Sequence, residues 1–143
     1  MITPHGLSFS IVKSVPAATV VALYRAGGWW KEGASNRKLI PKIVRNSFAF
    51  SVAKNTHGKI IGMGRVISDG CSDAYIQDVV VLPPYRGQGA GAGIIRSLVN
   101  HCLRKKIMWI GLVAEPGTYP FYRKIGFKDK KGFKLMLFRN EKK

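Results

Sequence analysis

The most informative segment of the sequence runs from Val81 to Gly93 and carries glycine at four alternate positions: Gly87, Gly89, Gly91 and Gly93. Glycine adopts backbone angles that other residues avoid and lets a ligand approach the main chain, so this loop can aim successive N–H groups at one anion. A helix is predicted to begin near Gly89, and its N-terminus adds unpaired amides and a partial positive charge. Arg86 adds a full charge beside them. These residues predict a site for a pyrophosphate-containing ligand.

Other interpretations of these glycines give a different chemistry. A Walker A loop needs a lysine and a hydroxyl residue after its spacer, and this segment has neither. A dinucleotide-binding fingerprint is formally matched by Gly87, Gly89 and Ala92, but only about fifty residues follow and no acid ends a strand about twenty residues on. A third possibility is that the glycines only permit tight packing of a helix on a strand. This interpretation does not explain Arg86.

The elements around the loop are predicted from apolar periodicity and from turn residues. Strands are predicted at residues 7–12, 48–54, 59–68, 74–82, 107–113 and 134–138. Helices are predicted between Ser14 and Gly27, at 39–44, from near Gly89 through the apolar pattern that ends at Leu103, and around 119–125. Ser14 is a candidate helix cap, and the strands at 74–82 and 107–113 are expected to be buried. The fold class is therefore α+β: a mostly antiparallel sheet flanked by helices, with a strand–glycine loop–helix–strand unit at its centre.

Length and composition favour one domain that spans residues 1–143. Neither Cys71 nor Cys102 lies in a paired or histidine-rich cluster, so we expect no metal site and no disulfide framework. The sequence contains no apolar run long enough to cross a bilayer and no secretory pattern at its start, so the expected location is the cytoplasm.

The charge balance is unusual, with 24 Lys+Arg against 7 Asp+Glu for a net charge of +17. Residues 1–68 contain one acid, Glu32, and the C-terminal end is rich in lysine, including Lys142 and Lys143. A positive surface potential of this kind attracts polyanions but does not identify one. Nucleic acid, ribosomes and acidic proteins are all possible partners, and a basic surface that is only solvated is the alternative.

Two motifs resemble one known family. The segment Arg86-Gly87-Gln88-Gly89-Ala90-Gly91 is similar to the acetyl-CoA loop of the GNAT superfamily of N-acetyltransferases, whose signature is Arg/Gln-x-x-Gly-x-Gly/Ala after a strand. The segment from Pro120 to Phe127 resembles the late motif of the same superfamily, a Phe-Tyr pair followed by Gly-Phe. Two motifs in the right order are far more specific than one. The resemblance implies a GNAT-like fold, acetyl-CoA as co-substrate, CoA as product and no metal.

The resemblance also implies which residues bind the cofactor. The strand before the loop would hold the pantetheine arm through the backbone of Val79, Val80 and Val81, and one amide there would polarise the thioester carbonyl. The loop residues named above would hold the pyrophosphate. Tyr119 and Lys124, which lie in the late motif, are further candidates for cofactor contact.

The implied catalytic residues are Tyr122 and Asp78. Tyr122 matches the family tyrosine that protonates the departing CoA thiolate, and a phenol with a pKa near ~10 is protonated at neutral pH. Asp78 precedes the valine run, where some relatives carry an acid facing the acceptor, and it could orient an ammonium group or relay its proton through water. A structural carboxylate is the alternative for Asp78, as an ordinary buried tyrosine is for Tyr122.

The acceptor site is less well defined. Trp29 and Trp30 occupy the loop that often covers the acceptor in this family, although tryptophans that cap the core are equally expected. Glu115 stands where many relatives carry an asparagine that contacts pantetheine, so it is a candidate second acid of the acceptor pocket. The predicted activity is acetyl transfer from acetyl-CoA to a small amine or a protein amino group, in a chain that could form a homodimer. The alternative is a basic CoA- or RNA-binding module of the same fold.

Overall fold

The computed structural model describes residues 3–139. Lys142 and Lys143 of the basic C-terminal end lie outside this range. The elements are the strands β1 (Ser8–Ile11), β2 (Ala49–Lys54), β3 (Ile60–Ser68), β4 (Asp73–Val81) and β5 (Trp109–Leu112), and the helices α1 (Ala17–Ala26), α2 (Ala34–Asn46), α3 (Ala90–Arg104) and α4 (Tyr119–Ile125). The described residues divide into two compact units, 3–112 and 113–139.

The first unit is built on one sheet with the strand order β1-β2-β3-β4-β5. The first three pairings are antiparallel, and β4 pairs with β5 in parallel. The chain reaches β5 through α3, which is the crossover that a parallel pair requires. This architecture confirms the predicted α+β class and its central strand–loop–helix–strand unit.

Alternation along β2 shows how the sheet separates two layers of helices. Phe50 and Val52 pack in the cluster formed by α1 and α2, whereas the hydroxyl of Ser51 lies 2.7 Å from that of Ser97 on α3. Helix α3 packs against β2, β3 and β4 through a fully buried stripe: Ile94, Ile95, Leu98 and Cys102. Burial of each large apolar side chain contributes about 1.5–3 kcal/mol, so this stripe fixes the helix that follows the glycine loop.

Several boundaries differ from the sequence predictions. Helix α2 begins at Ala34 rather than near Leu39, because its polar first turns carry no apolar pattern. Pro16, not Ser14, occupies the N-cap position of α1, and no side chain caps that helix. Strand β5 is shorter than expected, and its residues are half-buried or exposed because it forms an edge of the sheet among the described residues. The first residues of β4 alternate between exposed and buried, so the expectation of a strand buried on both faces is wrong there as well.

The prediction of a strand at residues 134–138 is wrong. The structure assigns neither helix nor strand to residues 127–139, and Phe138 is 98% exposed. An apolar run becomes a strand only when its backbone groups pair with another strand, and no described strand pairs with this one.

The two cysteines occupy contrasting environments. Cys71 lies exposed in the turn between β3 and β4, and Cys102 is fully buried on α3. Among residues 3–139 no group of three or more potential ligands could hold a metal ion, and no helix has the length and apolarity to span a membrane.

Candidate active site

The loop between β4 and α3 is held in a conformation that requires glycine. A short 3-10 turn at Pro83–Tyr85 ends β4, and Gly87 and Gly89 then adopt φ angles of 79° and 89°. A Cβ atom added at either glycine would meet nothing within 4 Å. Gly87 and Gly89 are therefore needed for their backbone angles and for the open space beside them. A Cβ at Gly93 would collide with the ring of Phe9, so that glycine does permit close packing of α3 on the sheet.

The loop presents a row of unpaired amides. The first backbone hydrogen bond of α3 runs from the N–H of Gly93 to the carbonyl of Gly89 at 3.0 Å. A hydrogen-bonded turn covers Arg86 and Gly87, and within the described part of the chain the N–H groups of residues 89–92 donate to no other atom. Gly89 caps the helix without a side-chain hydrogen bond, so the positive end of the α3 dipole is open as well. These donors fit a pyrophosphate group.

Neighbouring contacts fix the entry to the loop. The Nε of Arg86 donates to the carbonyl of Val81 at 2.9 Å, which folds this exposed side chain back over the end of β4. Tyr85 receives a hydrogen bond of 3.4 Å from Asn55, and the Nζ of Lys59 lies 5.9 Å from its ring centroid. The β2–β3 turn thus supports the glycine loop from one side.

Strand β4 diverges from β5 just before the predicted pantetheine segment. The parallel pairing ends at Ile76 and Leu112, so residues 77–81 have no partner strand on the β5 side of the described sheet. On their other side, Val80 pairs with Met63 and Val81 with Gly62. The backbone of Val79, Val80 and Val81, which is predicted to bind the cofactor, therefore has one unpaired edge.

Asp78 lies at a β-bulge. The register passes from Met63–Val80 to Arg65–Gln77, so β4 contributes one more residue than β3. Asp78 has a φ of 57°, in the left-handed region that non-glycine residues seldom occupy. Such backbone strain persists only where surrounding contacts hold it, and it is often found at functional sites.

Two side chains hold the Asp78 carboxylate through the same oxygen. The Nε of Arg65 donates to Oδ2 at 2.7 Å, and the phenolic hydroxyl of Tyr24 donates to it at 2.9 Å. Within residues 3–139 the second oxygen, Oδ1, accepts no hydrogen bond. The side chain of Asp78 is 22% exposed, which leaves this oxygen able to receive a ligand.

The predicted acceptor tryptophans lie beside this carboxylate network. The ring centroid of Tyr24 is 6.3 Å from that of Trp29 in an edge-on arrangement and 6.4 Å from that of Trp30 in a stacked one. Burial, followed by the negative charge of Asp78, raises the pKa of Tyr24 well above its ordinary value. Tyr24 is thus a neutral hydrogen-bond donor that links the aromatic loop to Asp78.

The roles of Tyr24 and Arg65 could not be predicted from the sequence. Tyr24 is 54 positions from Asp78, and its place on the apolar face of α1 predicts only a core residue. Arg65 offered one signal, because it is a charged residue inside the otherwise apolar strand β3. A buried cation in a strand requires an anion nearby, although its partner could not be named from the sequence.

The second unit holds the remaining candidates. Tyr122 is half-buried on α4, with its ring centroid 5.0 Å from that of Phe121 and 6.0 Å from that of Phe127. Burial, followed by the charge of Glu115, raises the pKa of Tyr122. Tyr122 is therefore protonated at neutral pH, as a proton donor must be. Glu115 itself is exposed.

The other two candidates of this unit are exposed on α4. Tyr119 starts the helix, and its ring centroid lies 5.8 Å from the guanidinium carbon of Arg123. Lys124 lies in the last turn of the helix. Both side chains are accessible to a ligand.

Comparison with known proteins decides the family. Residues 46–129 match the model of the acetyltransferase (GNAT) domain. The chain belongs to the GNAT family. This match spans both the glycine loop and Tyr122, and it confirms the resemblance inferred from the two motifs.

Curated relatives of this GNAT domain include red algal and plant proteins. An uncharacterized N-acetyltransferase, ycf52, of Pyropia yezoensis is 34% identical over 78% of this chain and 64% of its own length. The histone acetyltransferase TAP1 of Glycine max is 40% identical over 95% of this chain and 62% of its own length. The chain thus spans less than two thirds of the length of either relative.

Solved structures show the same fold. A probable acetyltransferase of Staphylococcus aureus superposes with a TM-score of 0.78 at 22% identity, covering 94% of this chain and 99% of the other. AAC(6')-Iy, solved in complex with a bisubstrate analogue that contains CoA, superposes with a TM-score of 0.73 at 14% identity, covering 94% and 98%. The mostly antiparallel sheet flanked by helices is therefore the GNAT fold.

Proposed function

We propose that this GNAT domain transfers the acetyl group of acetyl-CoA to a primary amine by direct attack in a ternary complex. The observation that carries the proposal is the row of unpaired amides at residues 89–92, which follows a strand with one open edge. This arrangement suits a ligand with a pyrophosphate at one end and an amide-containing arm that can add to a strand edge.

Acetyl-CoA supplies an activated thioester whose carbonyl accepts the amine. Arg86 and the amides of residues 89–92 hold the pyrophosphate, and the backbone of Val79, Val80 and Val81 binds the pantetheine arm. An amide of this strand also stabilises the negative charge that develops on the carbonyl oxygen. A preorganised donor of this kind is worth about 3–4 kcal/mol of activation free energy.

Asp78 receives the acceptor amine in this proposal. Its Oδ2 is held by Arg65 and Tyr24, so Oδ1 has a fixed position in which it attracts an ammonium group. The carboxylate then accepts the amine proton, directly or through one water molecule. Trp29 and Trp30 wall the acceptor site on the Tyr24 side.

Tyr122 acts as the general acid, because it is the protonated phenol of the late motif and burial raises its pKa. It returns a proton to the CoA thiolate as the thiolate leaves. Tyr119 and Lys124, both exposed on α4, contact the cofactor. Glu115 provides a second negative charge that attracts the acceptor amine.

The acceptor is a small amine or a protein amino group. One relative is named a histone acetyltransferase, which supports the inclusion of lysine-containing peptides among the amines tested. The high positive charge of the chain favours acceptors that lie on acidic surfaces.

The test combines binding and turnover. Isothermal titration with acetyl-CoA, followed by measurement of thiol release across a panel of small amines and lysine peptides, is expected to show micromolar binding and turnover with at least one acceptor. Tyr122→Phe and Asp78→Asn should each lower kcat by about 10²–10⁴-fold while the affinity for acetyl-CoA is retained. Asp73→Asn, which alters an exposed carboxylate at the start of β4, is the matched control and should turn over normally.

Two outcomes would overturn the proposal. Absence of acetyl-CoA binding would remove the cofactor assignment. Binding of acetyl-CoA or RNA without thiol release for any amine would instead identify a binding module of the GNAT fold.

A further inference from the structure

A groove between α2 and β3 shares one residue, Arg65, with the candidate acceptor site, and its other lining residues have no role in the proposed reaction. It has a volume of about 310 Å³ and is lined by Leu39, Lys42, Ile43, Asn46, Arg65 and Ile67. The α2 residues among them recur at spacings of three and four, so they share one face of that helix. Arg65 and Ile67 are two apart on β3, so they share one face of the strand. We call this cleft the α2–β3 groove.

The groove exposes apolar side chains. Leu39 is 49% exposed and Ile67 is 43% exposed, and Ile43 between them is half-buried. Aliphatic side chains gathered in a concave surface favour a ligand that carries apolar groups of its own, because each Å² removed from water contributes about 25 cal/mol.

Lys42 lines the groove, and Lys38 lies one helical turn before it on α2. Helix α2 carries four exposed cations and no acid: Arg37, Lys38, Lys42 and Arg45. The ion pairs within residues 3–139 join Arg25 to Glu32, Arg65 to Asp78 and Arg123 to Asp129, so none involves an α2 cation.

Three of the acids within residues 3–112 are already engaged by other groups. Glu32 pairs with Arg25, and the carboxylate of Asp69 accepts the backbone N–H groups of Cys71 and Ser72. Asp78 is held by Arg65 and Tyr24. The positive charge of α2 is therefore not balanced by these acids and is available to an outside partner.

We propose that the α2–β3 groove docks an acidic polypeptide segment that also carries apolar side chains. Carboxylates of the segment pair with Lys42 and the flanking cations of α2, and its apolar side chains enter between Leu39 and Ile67. A nucleic acid would use the same charges but would leave the aliphatic lining unused, because its backbone presents phosphates and sugars rather than apolar side chains. The proposal is independent of acetyl transfer, since binding needs neither cofactor nor turnover.

The experiment measures fluorescence anisotropy of a labelled peptide of alternating Asp and Leu residues on the full chain. We expect saturable binding that weakens as salt is added, and clearly weaker binding of a peptide of equal charge in which Ser replaces Leu. Lys42→Glu and Ile67→Ser should each reduce the affinity about tenfold. Lys105→Glu, which makes the same charge change at the C-terminal end of α3, should change it less than about twofold.

Three results would overturn the proposal. Equal affinity for the Leu and Ser peptides would show that the apolar lining takes no part. Equal losses in Lys42→Glu and Lys105→Glu would show that only the overall charge matters. Competition by a single-stranded oligonucleotide of the same charge, with a higher affinity and the same dependence on Lys42, would assign the surface to nucleic acid. Circular dichroism melts confirm that each variant is folded.

Discussion

The hydroxyl of Tyr24 donates a 2.9 Å hydrogen bond to Oδ2 of Asp78, 54 residues further along the chain. This bond ties α1 to the bulge of β4, where the backbone of Asp78 is left-handed. The geometry of the candidate acceptor site therefore depends on Tyr24, a residue of α1 that is distant from Asp78 in the sequence.

Replacement of Tyr24 by Phe should lower the free energy of unfolding by roughly 1–2 kcal/mol. The loss is that of a hydrogen bond to a charged group, moderated because Arg65 still satisfies the same oxygen. Urea denaturation measures this change in the free energy of unfolding. Tyr75→Phe, at an exposed position of β4, is the control and should remain within about 0.5 kcal/mol of the wild type. Equal stability of the two variants would contradict the structural role of the Tyr24–Asp78 bond.

The same tyrosine should make stability depend on alkaline pH. Its pKa is raised in the folded state by burial and then by Asp78, so folding favours the neutral hydroxyl. The contribution is fully present below the unfolded pKa of about 10 and is lost as pH rises above it, because the unfolded chain ionises first. The difference in unfolding free energy between wild type and Tyr24→Phe should narrow from pH 9 to pH 11. A constant difference over this range would argue against a raised pKa.

The glycine loop can be tested with two glycines of matched conformation. Gly89 has a φ of 89° and Gly58, in the β2–β3 turn, a φ of 78°, and a Cβ at either position meets nothing within 4 Å. Alanine should cost about 1 kcal/mol of stability at both positions, since each forces a left-handed L-residue. Only Gly89→Ala should weaken acetyl-CoA binding, by about tenfold or more, because it reorients the amides at the start of α3. Titration calorimetry on both variants distinguishes the two effects.

Close packing of α3 on the sheet gives a fourth prediction. A Cβ at Gly62 would lie 2.9 Å from Cδ1 of Ile94 and 3.1 Å from the carbonyl oxygen of Val80. Gly62→Ala should destabilise the domain by about 1–3 kcal/mol through overpacking. In the Ile94→Val background, which lacks that Cδ1 atom, the cost should be smaller. A double-mutant cycle measures the coupling, and strict additivity would show that the Val80 carbonyl and the Val81 side chain set the cost.

The conformation of the glycine loop could be predicted from the sequence because its determinants are local. Alternating glycines, a preceding strand and a following amphipathic helix all lie within one short segment, and each has a conformational meaning of its own. The structure confirms that glycine is required for the backbone conformation, because Gly87 and Gly89 both adopt positive φ angles. The order of strands and helices was predictable for the same reason, because most boundaries follow from residues near in sequence.

The carboxylate network could not be predicted because it depends on pairing register. Asp78 meets Arg65 at a bulge in the pairing of β3 with β4, and no local pattern marks that bulge. The strand predicted at residues 134–138 failed for a related reason. Its composition favours a strand, but pairing is a property of two segments, and the sequence of one segment does not reveal whether the other is present.

The contrast between Cys71 and Cys102 makes the chain a convenient object for chemical labelling. Cys71 is exposed, so a maleimide reagent can attach a fluorophore at the β3–β4 turn of the folded protein. Cys102 is fully buried and burial raises the pKa of its thiol, so its modification must wait until α3 separates from the sheet. The rate at which the second thiol reacts then reports how often that separation occurs, and a ligand bound at the start of α3 would slow the reaction in proportion to how firmly it stabilises the helix.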